Sequence, residues 1–523
     1  MDPTELIARC RQGDDLAWEA LVTPSARFVA LAIVLLLPGC AIAPPRLVDS
    51  GVVIEDVTLI SPERQSPLRR ADVVIRDGRI AEIGTDLGAG AGARRIDGRG
   101  RYLIPGLIDT HVHVGHPMAL DDAAIEARPE LLAAYRAQVP RAYLAFGFTT
   151  LVDLDLRPQN RDWFEGTPLQ PRLFHCGRGV RIAGGYGALR VPPDAAPESF
   201  PHLVHEPAQA AHWPNALAPV DYTPARAVER VAEAGGVCVK AFVEPGFGGV
   251  FDWPVPRPET LAALRVETAA RELTFVVHAT GVESWRAALD ARADVIAHGV
   301  WHWPGDRMDS TPPEGVRAVI TAAAGANVRV QPTLRVLQDS QAIFDWELLD
   351  DTRLEWSLAG AHISYLRTEE AEAARRALAE LYDEAARSAG EGAGAAALIA
   401  VANTRARATM RLMLDADVAL LFGSDTPSGG EGIGNPPGLN GRLELQHWAD
   451  AGVPLSRILR AATLDNAAAF GLADELGSIE IGKRADLLLL TSNPLESATA
   501  YDAIETIFLD GKPIARETLR PTD

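Results

Sequence analysis

The chain has 523 residues, 47% of them hydrophobic, which allows a large core and more than one domain. Its formal net charge of -20 argues against a nucleic-acid partner, since phosphate binding wants a basic face. An acidic surface otherwise indicates solubility.

Residues 1–22, "MDPTELIARCRQGDDLAWEALV", resemble the opening helix of extracytoplasmic-function sigma factors. No DNA-reading region follows, so the stretch reads as a start-site or gene-fusion artefact. Arg27 then precedes "FVALAIVLLLPGCAIAPP", an apolar run short of the roughly 20 residues that span a membrane. "LLPGC" resembles a bacterial lipoprotein cleavage box. Residues 23–39 are then a signal peptide and Cys40 the lipidated first residue of the mature chain. This predicts export to the periplasm or cell surface and membrane contact through a lipid anchor alone. Ala41, where an aspartate would signal inner-membrane retention, points to the outer membrane if the cell has one. An unlipidated secretory signal or a short anchor is the alternative.

Residues 40–104 read as the first part of a small β domain. "VVIEDVTLI" alternates, and "ADVVIRDGRIAEIG" is two strand-like runs about Asp77-Gly78, a hairpin signal. Residues 471–523 look the same, with "GSIEIGKRADLLLL" and a second turn at Asp510-Gly511. The two ends are expected to pair. Residues 105–470 alternate short β-branched runs with helical periodicity, which predicts an α/β fold with a parallel sheet. A (β/α)8 TIM barrel fits the length. Residues 157–222 read as loop-rich and 350–415 as long helices. Cys176 and Cys238 lie in apolar strand-like runs. A disulfide is open to them in an oxidising compartment, but buried free thiols are the preferred reading.

The chemistry gathers where apolar runs end. In "LIPGLIDTHVHVGHP", a strand over 107–114 would place Asp109, His111 and His113 on one face. Paired imidazoles fill a core poorly unless their ring nitrogens find partners, and a metal ion suits both. "GVCVK" closes on Lys240, "LTFVVH" on His278, "ADVIAH" on His298 and "VALLFGSD" on Asp425. Barrel active sites form at such strand ends. The 20-residue step from His278 to His298 is about one α-β unit. An ammonium at Lys240 would repel metals, so it must be neutral, salt-bridged away, or converted to a carbamate, which is an anionic ligand with two oxygens.

These motifs, with "VKAFVEPGFGG", "VVHATG", "QPTL", "LLFGSDTP" and the tail "LRAATLDNAAAFGLADELGSIEIGKRADLLLL", resemble the amidohydrolase superfamily over about residues 50 to 515. Within it they are most similar to the imidazolonepropionase-like and Xaa-Pro dipeptidase-like group. The resemblance implies a (β/α)8 barrel with a β-sandwich built from both termini. It implies that His111, His113 and Asp425 hold one divalent ion, and that His278 and His298 hold a second. Lys240, as N6-carboxylysine, would bridge them. Zinc is the default metal. Relatives often carry a glutamate where this chain has Ala297, and a histidine where it has Tyr186. Those departures bear on the substrate.

The expected activity is cleavage of C–N bonds in small amides, dipeptides or N-acyl amino acids, by a metal-activated hydroxide. Asp425 would carry the proton from the nucleophile to the leaving nitrogen. Arg181, Tyr186 and His302 are candidate substrate contacts, and Asp109 a supporting residue. Hydrolysis of a cyclic amide, lactam or imidazolone, is the alternative within the fold; a deaminase fits less well, because of Lys240. A non-catalytic lipoprotein that binds metal or ligand is the alternative from another class, and a transcription-linked role is the weakest. Self-association is left open.

Overall fold

The structure, a computed structural model, describes residues 46–188, 200–215, 217–388, 392–427 and 434–522. The sigma-like stretch, the signal peptide and the lipidation at Cys40 lie outside the described residues. Among these, no helix is long and apolar enough to cross a membrane.

Within the unit Val48–Asp523, the two ends of the chain share one eight-stranded sheet. Its order is Lys512–Ala515, Ile504–Leu509, Leu487–Leu490, Tyr102–Pro105, Val52–Leu59, Leu68–Arg76 and Arg79–Gly84, with Arg94–Asp97 beside Val52–Leu59. The ends meet where Leu487–Leu490 runs antiparallel to Tyr102–Pro105, Leu487 opposite Pro105. Both predicted Asp-Gly turns form. Asp77 and Gly78 have φ of 50° and 76°, and Asp510 and Gly511 have 47° and 71°. Two successive left-handed residues are what a tight hairpin loop needs, and Asp-Gly tolerates them. Alternate residues, among them Ile54, Val73, Ile75, Leu487, Leu489 and Phe508, bury one shared core.

Between the ends, strands alternate with helices. β1 (Leu107–Val112), β2 (Phe148–Asp153) and β3 (Arg172–His175) pair in parallel. So do β4 (Cys238–Phe242), β5 (Thr274–His278), β6 (Val295–Ala297) and β7 (Arg329–Gln331). The first set meets the second where Val237 N donates to His175 O (2.9 Å) and Val180 N to Lys240 O (2.7 Å). An extended stretch, 420–426, bridges Val330 of β7 through Leu420 and Val112 of β1 through Thr426. Strands β1, β2 and β4 are buried at every residue, as parallel strands covered on both faces are. Helices Pro129–Ala145, Pro158–Glu165, Pro224–Glu233 and Pro258–Ala269 each open on proline. The first turn has no intrahelical partner for its N–H groups, so proline's missing donor is harmless there. The long helices expected over 350–415 are Glu369–Ser388 and Ala395–Asp415.

Four expectations are corrected. Region 157–222 is not simply loop: it holds helix Pro158–Glu165 and strand β3, because "RLFH" finds β2 as a partner, residue 172 opposite 150. β1 stops at Val112, and His113 lies just past it, its N–H donating to Thr426 O at 2.7 Å. β4 runs on to Phe242, so Lys240 sits inside the strand rather than at its end. Cys176 and Cys238, read as free thiols, form a disulfide with Cα atoms 4.4 Å apart. The end of β3 lies beside the start of β4, and this brings together two cysteines separated by 62 positions.

Candidate metal centre

Three donors converge at the C-terminal end of β1. His111 Nε2 and His113 Nε2 lie 3.3 Å and 3.0 Å from the same atom, Asp425 Oδ1. One ligand atom from each residue falls within 4.8 Å of the others, a spacing that a metal ion could close. The approach needs Gly423, where an added Cβ would stand 2.7 Å from His111 Cβ. It also uses left-handed backbone at Asp425 (φ 56°), a conformation that costs an ordinary residue energy and concentrates at functional sites. Asp109 lies fully buried beneath. Its Oδ1 accepts the N–H groups of His111 (3.1 Å) and Ser424 (3.0 Å), and its Oδ2 the Ser424 hydroxyl (2.5 Å). It ties the two ligand-bearing segments together. Burial pushes its carboxyl up to about 7, against those hydrogen bonds.

A second pair stands alongside. The rings of His278 and His298 are 4.5 Å apart, and His298 lies 5.0 Å from His111. One nitrogen of each imidazole has a partner. His278 Nε2 sits 3.3 Å from Glu244 Oε2, and His298 Nδ1 bonds the Thr333 hydroxyl at 2.8 Å. His298 Nδ1 also lies 3.9 Å from Asp425 Oδ2. Fixing one ring nitrogen sets tautomer and orientation, as metal-binding histidines require. His298 also adopts a left-handed backbone (φ 83°).

Lys240 is 1% exposed, and its Nζ has no hydrogen-bond partner among the described residues. Burial pushes its ammonium down to about 7, against the pull of Asp425 and Asp155. Burial alone would raise Asp425; the imidazoles of His111, His113 and His298 instead hold it well below the usual carboxylate range. Burial drives His111 and His298 well below the ordinary histidine range. Burial would lower His113 too, but its hydrogen bond to Asp425 and the Asp425 charge outweigh burial and raise it. The donor set fits a metal, and an orphaned buried amine beside it fits modification better than a free ammonium.

The candidate substrate contacts are placed differently from one another. Tyr186 stacks on His278, centroids 5.1 Å apart. His302 is half-buried, its ring 6.2 Å from Phe247. Arg181 is buried and committed internally: Nη2 lies 2.8 Å from Asp155 Oδ2, Nε donates to Tyr186 O at 3.2 Å, and the guanidinium lies 4.1 Å from the Phe242 ring centre. Arg178 takes the other oxygen of Asp155 at 2.8 Å. Of the two nearby tryptophans, Trp301 lies 5.5 Å from His298, whereas Trp303 is packed under Arg405.

Glu244, Thr333 and Asp155 were not singled out from sequence. Two of them lie in the motifs "VKAFVEPGFGG" and "QPTL", so their signal was proximity to a ligand in sequence.

Solved structures similar to this chain include a Xaa-Pro dipeptidase with bound methionine in the active site. That match has a TM-score of 0.59 and 21% identity, covering 89% of this chain and 99% of that one. A molinate hydrolase matches with a TM-score of 0.62 and 20% identity, covering 91% and 97%. At such identities the likeness concerns the fold. Among curated proteins, 80 residues are 41% identical to a dihydroorotase of Trichlorobacter lovleyi, 15% of this chain and 16% of that protein. A stretch of 47 residues is 60% identical to an N-acyl-D-glutamate deacylase of Alcaligenes xylosoxydans xylosoxydans, 9% of each chain. These matches span 16% or less of the curated relatives' length. The "Amidohydrolase family" pattern, by contrast, matches residues 102–514. With that stretch covering most of the chain and enclosing every candidate ligand, the protein belongs to the amidohydrolase family.

Proposed function

We propose that the protein is an exported, metal-dependent amidohydrolase that cleaves the C–N bond of small amides, dipeptides or N-acyl amino acids. The observation that carries this is the convergence of His111 Nε2, His113 Nε2 and Asp425 at the strand ends of an amidohydrolase-family chain. The bridges through 420–426 and between β3 and β4 support a closed (β/α)8 barrel over 105–470. The shared terminal sheet supports a β-sandwich from residues 40–104 and 471–523.

In this reading His111, His113 and Asp425 hold one divalent ion, zinc by preference. His278 and His298 would hold a second. The orphaned Nζ of Lys240 supports its carboxylation, which would turn a buried cation into a shared anionic ligand. Bound there, the ions would supply an activated water and polarise the substrate carbonyl. The chain's own residues do the rest. Asp109 and Ser424 fix the Asp425 segment, and Glu244 and Thr333 fix the two imidazoles. Asp425 carries the proton from the attacking water to the departing nitrogen, with Oδ1 turned toward the imidazoles and Oδ2 as the carrying oxygen. Water adds to the carbonyl carbon, the C–N bond breaks, and a carboxylate and an amine leave.

Export and lipidation at Cys40 remain part of the proposal, supported by the "LLPGC" box and by the paired cysteines, which suit an oxidising compartment. Hydrolysis of a cyclic amide is a second reading, favoured by the local match to a dihydroorotase. The test is C–N cleavage by metal-loaded protein across dipeptides, N-acyl amino acids and cyclic amides, followed by mass spectrometry with a chelator-treated control. Chelator-sensitive release of a free amino acid supports the first reading, and ring opening alone the second. No cleavage of any member, by protein shown to hold metal, overturns both and leaves a binding role.

A further inference from the structure

A row of aromatic rings leads from solvent to His278. Four of the twelve residues from Phe242 to Trp253 are aromatic, against 6% in the whole chain. Phe251, 39% exposed, stacks on Trp253 at 4.6 Å. Trp253 lies 5.5 Å from both Phe247 and Tyr186, and Tyr186 stacks on His278 at 5.1 Å. Tyr186, Phe247 and Trp253 are half-buried. Among the described residues, none of these four rings joins a hydrophobic cluster of the core. They contact one another, His278, His302 and the buried Phe242. Rings that merely plugged a loop onto the core would be part of that core.

The loop that presents them is held in a costly shape. Residues 246 to 249 all have left-handed backbone, and Phe247 does so at φ 51° without being glycine. Such strain persists where the surroundings over-determine it. Here the clamp is Glu244, 1% exposed: its Oε1 accepts the N–H groups of Gly246 (2.8 Å) and Phe247 (2.6 Å), and its Oε2 takes the Thr280 hydroxyl and His278 Nε2. One buried carboxylate therefore fixes Phe247 and a candidate metal ligand together. Strain, clamp and partial exposure all keep an aromatic surface at a set distance from the centre.

We infer that the substrate carries an aromatic ring, bound against Tyr186, Phe247 and Trp253 while its amide lies at the candidate metals. The inference rests on the amidohydrolase reading and narrows its substrates to aromatic dipeptides or N-acyl aromatic amino acids. Flat rings suit such a wall because offset and edge contacts between aromatics add to simple burial. The ring-bearing side chains themselves carry no formal charge that would favour a charged substituent.

The test compares matched substrates with metal-loaded protein: N-acetyl-L-phenylalanine against N-acetyl-L-alanine, and Ala-Phe and Phe-Ala against Ala-Ala. A second readout, independent of turnover, is calorimetric binding of phenylacetate against acetate. The expected result is at least tenfold higher kcat/KM for the aromatic member of one pair, and at least tenfold tighter phenylacetate binding. Trp253→Ala and Phe247→Ala should lower the aromatic-to-aliphatic ratio about tenfold, and Trp253→Phe should restore most of it. Turnover with aromatic and aliphatic members equal would overturn the inference and leave the amidohydrolase reading standing. Phenylacetate binding lost in Trp253→Ala, with no turnover of anything, would uphold the wall and sink the hydrolase. Equal binding of both acids with no turnover would overturn both.

Discussion

Asp425 is the residue on which the candidate centre turns. It faces His111 and His113 with one oxygen and is held ionised by the imidazoles around it. Asp425→Asn keeps the shape and removes the proton carrier. We expect kcat to fall by about 10²–10⁴, with metal still present by mass spectrometry; unchanged turnover would remove Asp425 from the proton path. Glu244 is the other decisive residue. Burial would raise its pKa, but the His278 bond and the charges of His278 and His302, with the Thr280 bond, hold it at about 2, below its ordinary 4.5. A depressed carboxylate stabilises the fold above its unfolded pKa and loses that contribution as pH falls through the folded one. Glu244→Gln should therefore be less stable than the parent at neutral pH, with the gap narrowing between about pH 4.5 and 2. It should also weaken one metal about 10–100-fold. Acid unfolding curves and metal titrations would read the two effects, and a gap that does not depend on pH would contradict the assignment.

At the scale of elements, the site depends on strands brought close. Gly423 lets the 420–426 stretch lie against β1, since a Cβ there would meet His111 Cβ at 2.7 Å. Gly423→Ala should cost about 1–3 kcal/mol of stability through overpacking, seen by denaturant unfolding, and should reduce metal retention. The disulfide joins the end of β3 to the start of β4, the junction between the two parallel sets. Closing a loop of 62 residues stabilises by about 4 kcal/mol in a chain-entropy account. Cys176→Ser should lose that amount, and reductant should destabilise the parent but not the variant. The strand-end histidines were legible because alternation and apolar runs locate strand ends. The disulfide was not, because nothing local in "FHCG" or "GVCVK" tells that β3 and β4 are neighbours. Glu244 was illegible for a related reason. Its task is defined by backbone N–H groups of a left-handed turn and by a histidine one strand away, neither of which has a sequence period.

At the scale of the molecule, two ends with matching β character close one sheet, and the family match encloses the parallel strands between them. The alternation of runs and helices was enough to read that α/β class and the pairing of the ends. The helix and strand inside 157–222 were hidden because β3 is short and only partly buried, which weakens its apolar signal. His111, His113 and Asp425 meet just past the end of β1, with His298 and His278 alongside, and the central claim is that these five with Lys240 hold two metals that drive amide cleavage. The most direct test is to strip the protein with a chelator and return zinc stepwise, in bicarbonate buffer so that Lys240 can be carboxylated, while following hydrolysis of a cleaved amide. The account predicts no activity without metal and a rise that saturates at two equivalents per chain. Activity that survives complete metal removal, or full activity with His278 and His298 both replaced by alanine, would contradict it.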